Sequence, residues 1–469
     1  MEKQFVIIGA GPGGYVAAIR AAQLGAQVTL IEGRDIGGTC LNRGCISTKA
    51  LYSNAKKINE LKEMEAFGVK LDGFSIDFNV IQKRKDKVVH QLVSGIEQVL
   101  KAYKVEIIRG WATLKDQHTI EVRLTDGEVE TLKAEKILLA VGSKPSILPV
   151  EGADLPGVIT SDDLLNIDHV PKRLAIAGSG VIGIELAAIF QAFGSEVSVI
   201  SSTLLKRMDG EMIKRVQPYL KKQGLKILQD CRVTGVEQGD NGLTVHIRNK
   251  KTEAVDTVEA DVLLMAPGRE PLLDKLGLEA AGVEFDGKGI KAGENFQTNV
   301  PHIYAIGDAT GGMMLAHVAS HQGIAAVETM LGHKHDIKLD VVPDCVFIDP
   351  QLAGVGHTEE QLKEAGVDYI SGKFLFGANG KALSMGEPDG FVKVLARADN
   401  HQILGAHIMG PHASDLIHEL TLAMAHNLTL EDVANTIHAH PTLAECVLEA
   451  SLAAKGEAIH NAPPRKPRK

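Results

Sequence analysis

The apolar positions of the chain fall into short runs closed by glycine. Phe5 to Ile8 and Leu174 to Ala177 read as buried strands, and each meets a GxGxxG turn followed by a segment rich in alanine and isoleucine that reads as a helix. Gly9, Gly11 and Gly14 recur as Gly178, Gly180 and Gly183, and Gly25 and Val28 recur as Gly194 and Val197, all at one offset of 169 residues. The chain therefore holds two copies of one strand–turn–helix–strand unit. Their second strands differ at the end: VTLIE closes on Glu32, VSVIS on Ser201.

Two further strand-and-turn segments, KILLAVGSKP (136–145) and DVLLMAPGREP (261–271), are predicted exits from the two units, and PHIYAIGDA ends in a Gly307-Asp308 turn. Beyond about residue 340 the pattern changes to alternating strands, VVPDCVFID, FVKVLARA and ILGAHIMG, followed by helical segments Ala413 to Asn427 and Leu430 to Ile437. This predicts an α+β unit without a nucleotide signature.

At 469 residues and 44% apolar, the chain can bury more than one core, and its length suggests about three domains. A net charge of -9 argues against nucleic acid as the main partner. No apolar stretch is long enough to span a bilayer, and FVIIG follows Met1 too closely for a signal peptide, so a cytoplasmic protein with no membrane attachment is expected. Five cysteines, an odd number, do not read as a secreted disulfide framework; Cys231, Cys345 and Cys446 are expected to be buried like hydrophobes.

In each duplicated unit the helix N-terminus can receive the pyrophosphate of a dinucleotide, and Glu32 is placed to bond an adenosine ribose, whereas Ser201 leaves the second copy without that acid. Cys40 and Cys45 stand in GGTCLNRGC just past the first turn. Residues five apart on a regular helix have Cα atoms roughly 8 to 9 Å apart, and a disulfide wants less than about 7 Å. If the two bridge, the helix must begin irregularly, with Gly37, Gly38 and Gly44 supplying the tight backbone, and a helix N-terminus would favour a thiolate. The other readings are inert buried thiols or half a zinc site. The spacing suits neither common zinc pattern, no matching Cys/His pair follows, and no metal is expected.

GGTCLNRGCISTKAL, the paired dinucleotide units, YAIGDATGGMMLAH, ILGAHIMGPHASDLIHE and HAHPTLAE occur in the order seen in the flavoprotein pyridine-nucleotide disulfide oxidoreductases, from the first strand to about Ser451. The chain most resembles the branch that oxidises dihydrolipoamide. The resemblance implies an α/β fold with two Rossmann-like dinucleotide-binding domains, for FAD and NAD, plus a C-terminal α+β dimerisation domain. It divides the chain into 1–146 (first part of the FAD domain, with the redox disulfide), 147–271 (NAD(P) domain), 272–338 (FAD and central part), 339–460 (dimerisation) and 461–469, a basic disordered tail.

The same resemblance assigns roles. Cys40 would exchange with the substrate dithiol and Cys45 would stand near the flavin. Lys49 would lie against the flavin, paired with Glu185 beside the nicotinamide, Asp308 would meet the ribityl chain, and Ala316 would lend its backbone N–H to the flavin. Gly9, Gly11, Gly14, Glu32, Gly38, Thr39, Ala112 and Gly142 complete the expected FAD contacts; Gly178, Gly180, Gly183, Ser201, Val233 and Gly268 are the expected nicotinamide-dinucleotide contacts. His440 in HPTxxE is the expected base and Glu445 its orienter, with His438 structural. Dihydrolipoamide, free or carried by lipoyl-bearing proteins of a 2-oxo-acid dehydrogenase or glycine-cleavage system, would be oxidised through FAD to reduce NAD. The base would come from the partner subunit of a homodimer.

This sequence departs from the family pattern at Ser47 and Thr48, expected to loosen the helix start, at Ala444, and at Pro267 and Leu272, which with Ser201 leave NADP open beside NAD. The rival readings are a glutathione-reductase-like enzyme using NAD(P)H and a flavoprotein without catalysis. A mercuric-reductase type would carry a C-terminal cysteine pair where this chain has PPRKPRK.

Overall fold

The computed structural model describes residues 2–462. Of the expected tail, Asn461 is fastened by its side-chain amide to the Lys373 carbonyl at 3.0 Å, and Pro463–Lys469 lie outside the described residues. The first unit runs β1 (Glu2–Ile8), α1 (Pro12–Gln23), β2 (Val28–Glu32), α2 (Gly38–Arg43), α3 (Cys45–Glu63), α4 (Phe78–Ala102), β3 (Glu106–Leu114), β4 (Thr119–Leu124) and β5 (Val129–Leu139). The second runs β6 (Val158–Thr160), β7 (Arg173–Ala177), α5 (Val181–Phe193), β8 (Glu196–Ser201), α6 (Gly210–Lys222), β9 (Lys226–Gln229) and β10 (Val262–Met265). The chain then returns through β11 (Ile303–Ala305) and α7 (Ala316–Met330) to the first sheet.

The duplication seen in sequence is a duplication of topology. Parallel ladders order the first sheet β3-β2-β1-β5-β11 and the second β9-β8-β7-β10-β6, so each copy sets its first strand at the centre with its second strand beside it. The steric reason for the third glycine is also duplicated. A Cβ at Gly14 would lie 1.8 Å from the Gly9 carbonyl oxygen, and one at Gly183 would lie 2.3 Å from that of Gly178, so each helix packs directly on its own turn. The two predicted exits find each other: Ser143–Pro145 and Arg269–Pro271 pair as an antiparallel ribbon.

The C-terminal unit is an antiparallel sheet of β12 (Asp344–Val346), β13 (Gln351–Gly356), β14 (Tyr369–Leu375), β15 (Phe391–Arg397) and β16 (Ile403–Gly410) in the order β12-β13-β16-β15-β14, with α8 (Ala413–Ala425), α9 (Leu430–Ala434) and α10 (Glu445–Ala454) after it. The expected helices ending at Asn427 and Ile437 stop earlier. Asn427 has a left-handed φ of 55°, and Asn435 caps the second helix in place of another helical turn. Cys231 and Cys446 are buried as expected, but Cys345 is only half-buried, on the short strand β12.

One apolar cluster fixes the relative placement of all three parts. Leu51, Ala55 and Ile58 of α3 pack in it with Phe190 and Phe193 of α5 and with Val346 and Ile348. The helix that follows the cysteine pair is thus wedged between both nucleotide units and the C-terminal sheet.

A buried ion pair adds a second tie. The Lys393 ammonium on β15 has 2% of its side chain exposed and meets Asp209, the N-cap of α6, at 2.6 Å, with Glu359 at 3.4 Å. Breaking such a pair from one side leaves an unpaired buried charge and costs about 3 to 5 kcal/mol. Lys393→Met should lower urea stability by that amount, and Lys393→Met with Asp209→Asn should recover at least half of it. Equal midpoints for the wild type and the single variant would contradict a buried tie here.

Candidate active site

The helix carrying the two cysteines is broken between them. α2 ends at Arg43, Gly44 turns the backbone, and α3 starts on Cys45 itself. A Cβ at Gly44 would lie 2.9 Å from the Thr39 carbonyl oxygen, so the break needs glycine. Ser47, expected to loosen this start, fastens it: its hydroxyl donates to the Asn42 carbonyl at 2.9 Å, stitching α3 back onto the last turn of α2. Gly38, with φ 58°, would place a Cβ 2.6 Å from the Gly11 Cα, and this glycine-on-glycine contact lays the cysteine-bearing turn directly on the first GxGxxG turn.

Cys40 and Cys45 stand as free thiols in this structure, the reduced form of the expected redox pair, and they hydrogen-bond to each other. That bond pulls the Cys45 thiol below its ordinary value, helped by the Lys49 charge against the opposing effect of burial. The same bond, with burial behind it, pushes the Cys40 thiol up. The reduced pair therefore favours a Cys45 thiolate accepting from a Cys40 thiol.

One turn into α3, Lys49 meets the buried Glu185 of α5 at 2.9 Å. Glu185 also accepts the Phe347 backbone N–H at 2.9 Å, and the Lys49 ammonium sits 4.3 Å above the Phe347 ring. Spacing along the chain gives no sign of Phe347, because its N–H could come from any residue and its ring meets Lys49 only through the fold. Two residues on, burial pushes the Asp349 carboxyl up to about 6, with Lys56 opposing and Glu387 reinforcing the rise.

The first dinucleotide turn carries a built acid. Glu32 accepts the Ala10 and Arg34 backbone N–H groups, both at 2.7 Å. Neither α1 nor α5 has a side chain capping its glycine N-cap, so the first-turn N–H groups of both helices are left for an anion, which fits a pyrophosphate at each. Asp308 is half-buried in the first unit, its carboxyl raised by desolvation and accepting from the Ser143 hydroxyl. Arg269 in turn donates to Ser143 Oγ and to the Ser143 carbonyl, both at 2.8 Å. The GSKP and GREP segments that hold Ser143 and Arg269 are visible in the sequence, but nothing in their spacing signals this link to Asp308.

The remaining expected residues are placed as follows. Gly142 and Gly268, both with positive φ and open space beside them, lead into the two strands of the ribbon. Ala316 opens α7 after an extended Leu315, Thr39 lies in α2, and half-buried Ala112 lies on β3. Val233 is buried beside a register shift in the strand Cys231–Gly239. Ser201 is turned away from solvent, 1% exposed, with its hydroxyl 2.6 Å from that of Ser179.

His440 and Glu445 form a separate group. Glu445 accepts from His440 Nδ1 at 2.9 Å and from the Thr442 N–H at 2.8 Å; against its burial, these bonds hold the carboxyl below the usual range. The His440 ring is 80% exposed, and among the described residues no hydrogen bond or ion pair joins it to the thiols. Nearby Ile437 is 97% exposed. His438, by contrast, is buried against Glu419 at 2.9 Å. Among the described residues there is no group of side chains suited to a metal ion, and no helix long and apolar enough to cross a membrane.

Residues 3–323 match the family model described as pyridine nucleotide-disulphide oxidoreductase, and residues 342–451 match the dimerisation domain of the same family. Among curated relatives, the dihydrolipoyl dehydrogenase of Geobacillus stearothermophilus is 41% identical over 465 residues, covering 98% of both chains. The mitochondrial dihydrolipoyl dehydrogenase of Dictyostelium discoideum is 41% identical over 466 residues, covering 98% of this chain and 96% of the relative. Among solved structures, LpdA from Mycobacterium tuberculosis superposes with a TM-score of 0.89 at 27% identity, covering 96% of this chain and 99% of that one. The HOCl-induced flavoprotein disulfide reductase RclA from Escherichia coli gives 0.84 at 29% identity, with the same coverage of each chain.

A carboxyl whose folded value is raised binds its proton more tightly in the native state than when unfolded. The stability this contributes is fully present below the unfolded carboxylate value and is lost as pH rises through about 6 at Asp349. Asp349→Asn should therefore be more stable than the wild type near pH 8, by at most on the order of 3 kcal/mol, and equal to it near pH 4. Denaturant midpoints at the two pH values test this; an equal difference at both would show that the substitution acts through packing.

Proposed function

The chain belongs to the pyridine nucleotide-disulphide oxidoreductase family, and we propose that within it this protein acts as a dihydrolipoyl dehydrogenase, oxidising dihydrolipoamide to lipoamide with FAD and NAD. The observation that carries the reading is the thiol pair set across the Gly44 break, with Cys45 favoured as thiolate and the Lys49–Glu185 pair one turn away.

In the oxidised protein the pair is a disulfide, and a dihydrolipoamide thiolate attacks Cys40 Sγ. The S–S bond breaks and Cys45 leaves as a thiolate, the form its surroundings favour. The substrate's second thiol then attacks the mixed disulfide, lipoamide departs, and Cys40 is left reduced with its proton. FAD, when bound, supplies the two-electron relay from the reduced pair to NAD. Glu32, Gly38, Thr39, Ala112, Gly142, Asp308 and Ala316 with the first glycine turn would hold FAD; Glu185, Val233 and Gly268 with the second would hold the nicotinamide dinucleotide.

The thiolate of the substrate needs a base. A carboxylate only accepts, so Glu445 fixes the His440 proton on Nδ1 and leaves Nε2 free to take the thiol proton. Since His440 stands exposed and apart from the thiols of its own chain, the pair would serve the thiols of a second copy in a homodimer, the association that the dimerisation domain supports. The substrate would arrive on lipoyl-bearing partner proteins or as the free compound.

Cys45→Ser should fold and keep FAD while losing dithiol oxidation, since serine is close in size and the dinucleotide turns are untouched. Loss of FAD instead would mark the residue as structural. His440→Ala should slow reduction by dihydrolipoamide by about 10² to 10⁴ and leave reduction of the protein by NADH intact. Stopped-flow measurement of the two half-reactions separates these, and an equal fall in both would assign the histidine to the fold or the dimer.

A further inference from the structure

The two copies of the nucleotide unit disagree at one matched pair of positions. The Gly9 N–H bonds to the Ile31 carbonyl at 2.8 Å in the first copy, and the Gly178 N–H bonds to the Ile200 carbonyl at 3.1 Å in the second. This common register places Ala10 and Glu32 where the second copy has Ser179 and Ser201. In the first, Glu32 accepts the Ala10 backbone N–H at 2.7 Å, holding a carboxylate at the end of the second strand. In the second, the contact is made between side chains. The Ser179 hydroxyl donates its single proton to the Thr203 carbonyl at 3.0 Å, so Ser201 must be the donor in the 2.6 Å contact between their oxygens.

Both partners are buried, and the Leu205 N–H closes on the Ser179 carbonyl at 2.9 Å. The loop after β8 is therefore clamped to the glycine turn by residue 179, and the Ser201 hydroxyl is directed inward. Outside this seal stand Ser202, Thr203, Lys206 and Arg207, all exposed, with Arg207 3.6 Å from Asp344 of the C-terminal unit. The side presented to an adenosine ribose thus has hydroxyls and cations and lacks the carboxylate that the first copy keeps.

We propose that the second site accepts a nicotinamide dinucleotide with or without a 2′-phosphate because its second strand ends in Ser201, a hydroxyl turned inward onto Ser179, where the first copy holds the carboxylate of Glu32. A carboxylate at the strand end would pair with both ribose hydroxyls and repel the phosphate; the serine pair does neither. This rests on the reading that the second turn holds the nicotinamide dinucleotide, and it adds which chemical forms of that ligand enter.

The test is calorimetric binding of NAD+ and NADP+ to the oxidised FAD-loaded protein, with kcat/KM alongside. The wild type should bind the two within about tenfold of each other. Ser201→Ala should leave both affinities within about threefold, because that hydroxyl already faces Ser179. Ser179→Ala with Ser201→Glu rebuilds the Ala10–Glu32 arrangement and should move the preference toward NAD+ by about a hundredfold. A wild type that rejects NADP+ by more than about a hundredfold, or a tenfold loss of NAD+ binding in Ser201→Ala, would overturn the proposal. So would an unchanged preference in the double variant at wild-type flavin content. Binding is read without dithiol, so a failure of lipoamide turnover with these ratios intact would fall on the proposed function alone.

Discussion

Two sulfurs five residues apart meet in this chain because glycine breaks the helix between them. A continuous helix would send Cys40 and Cys45 to different faces; ending α2 at Arg43 and restarting α3 on Cys45 brings them within hydrogen-bonding reach. The rest of the site is arranged around that break. Gly38 sets it on the first dinucleotide turn through contact with Gly11, Ser47 pins its far side, and the body of α3 is buried against α5 and the C-terminal segment. Lys49 and Glu185 follow from the same wedge, since the packing of α3 on α5 brings them together.

The duplicated fold shows how one scaffold supports two binding tasks. Strand order, helix approach and uncapped helix N-termini are shared, because they follow from the glycines that both copies retain. The copies part at single side chains: Glu32 against Ser201, Ala10 against Ser179. The C-terminal unit, with no nucleotide turn, contributes Phe347 to the Lys49–Glu185 pair and carries the exposed His440–Glu445 dyad.

The sequence was most legible where a residue type is forced by local geometry. The paired glycine turns, the strands ending in Glu32 and Ser201, and the need for an irregular turn between the cysteines could all be read from spacing. What escaped reading depends on partners distant in the chain. Phe347 gives Glu185 a backbone N–H that any residue could supply and meets Lys49 with its ring only through the fold, Arg269 is joined to Asp308 through Ser143 only because two exit segments pair across more than a hundred residues, and β13 and β14 are recognisable as strands mainly by their neighbours in the sheet. Ser201 was seen as a missing acid, but not as a hydroxyl already taken by Ser179, because that contact depends on the turn and strand lying side by side.

The central claim is that the Cys40–Cys45 pair is the redox group standing between the dithiol and the flavin. Anaerobic titration of the oxidised, FAD-loaded protein with dihydrolipoamide, followed by absorbance, tests it most directly. The account predicts that one equivalent leaves the flavin oxidised and raises a long-wavelength band from charge transfer between the Cys45 thiolate and the flavin, absent in Cys45→Ser. Direct bleaching of the flavin by the first equivalent, with no such band in the wild type, would contradict it.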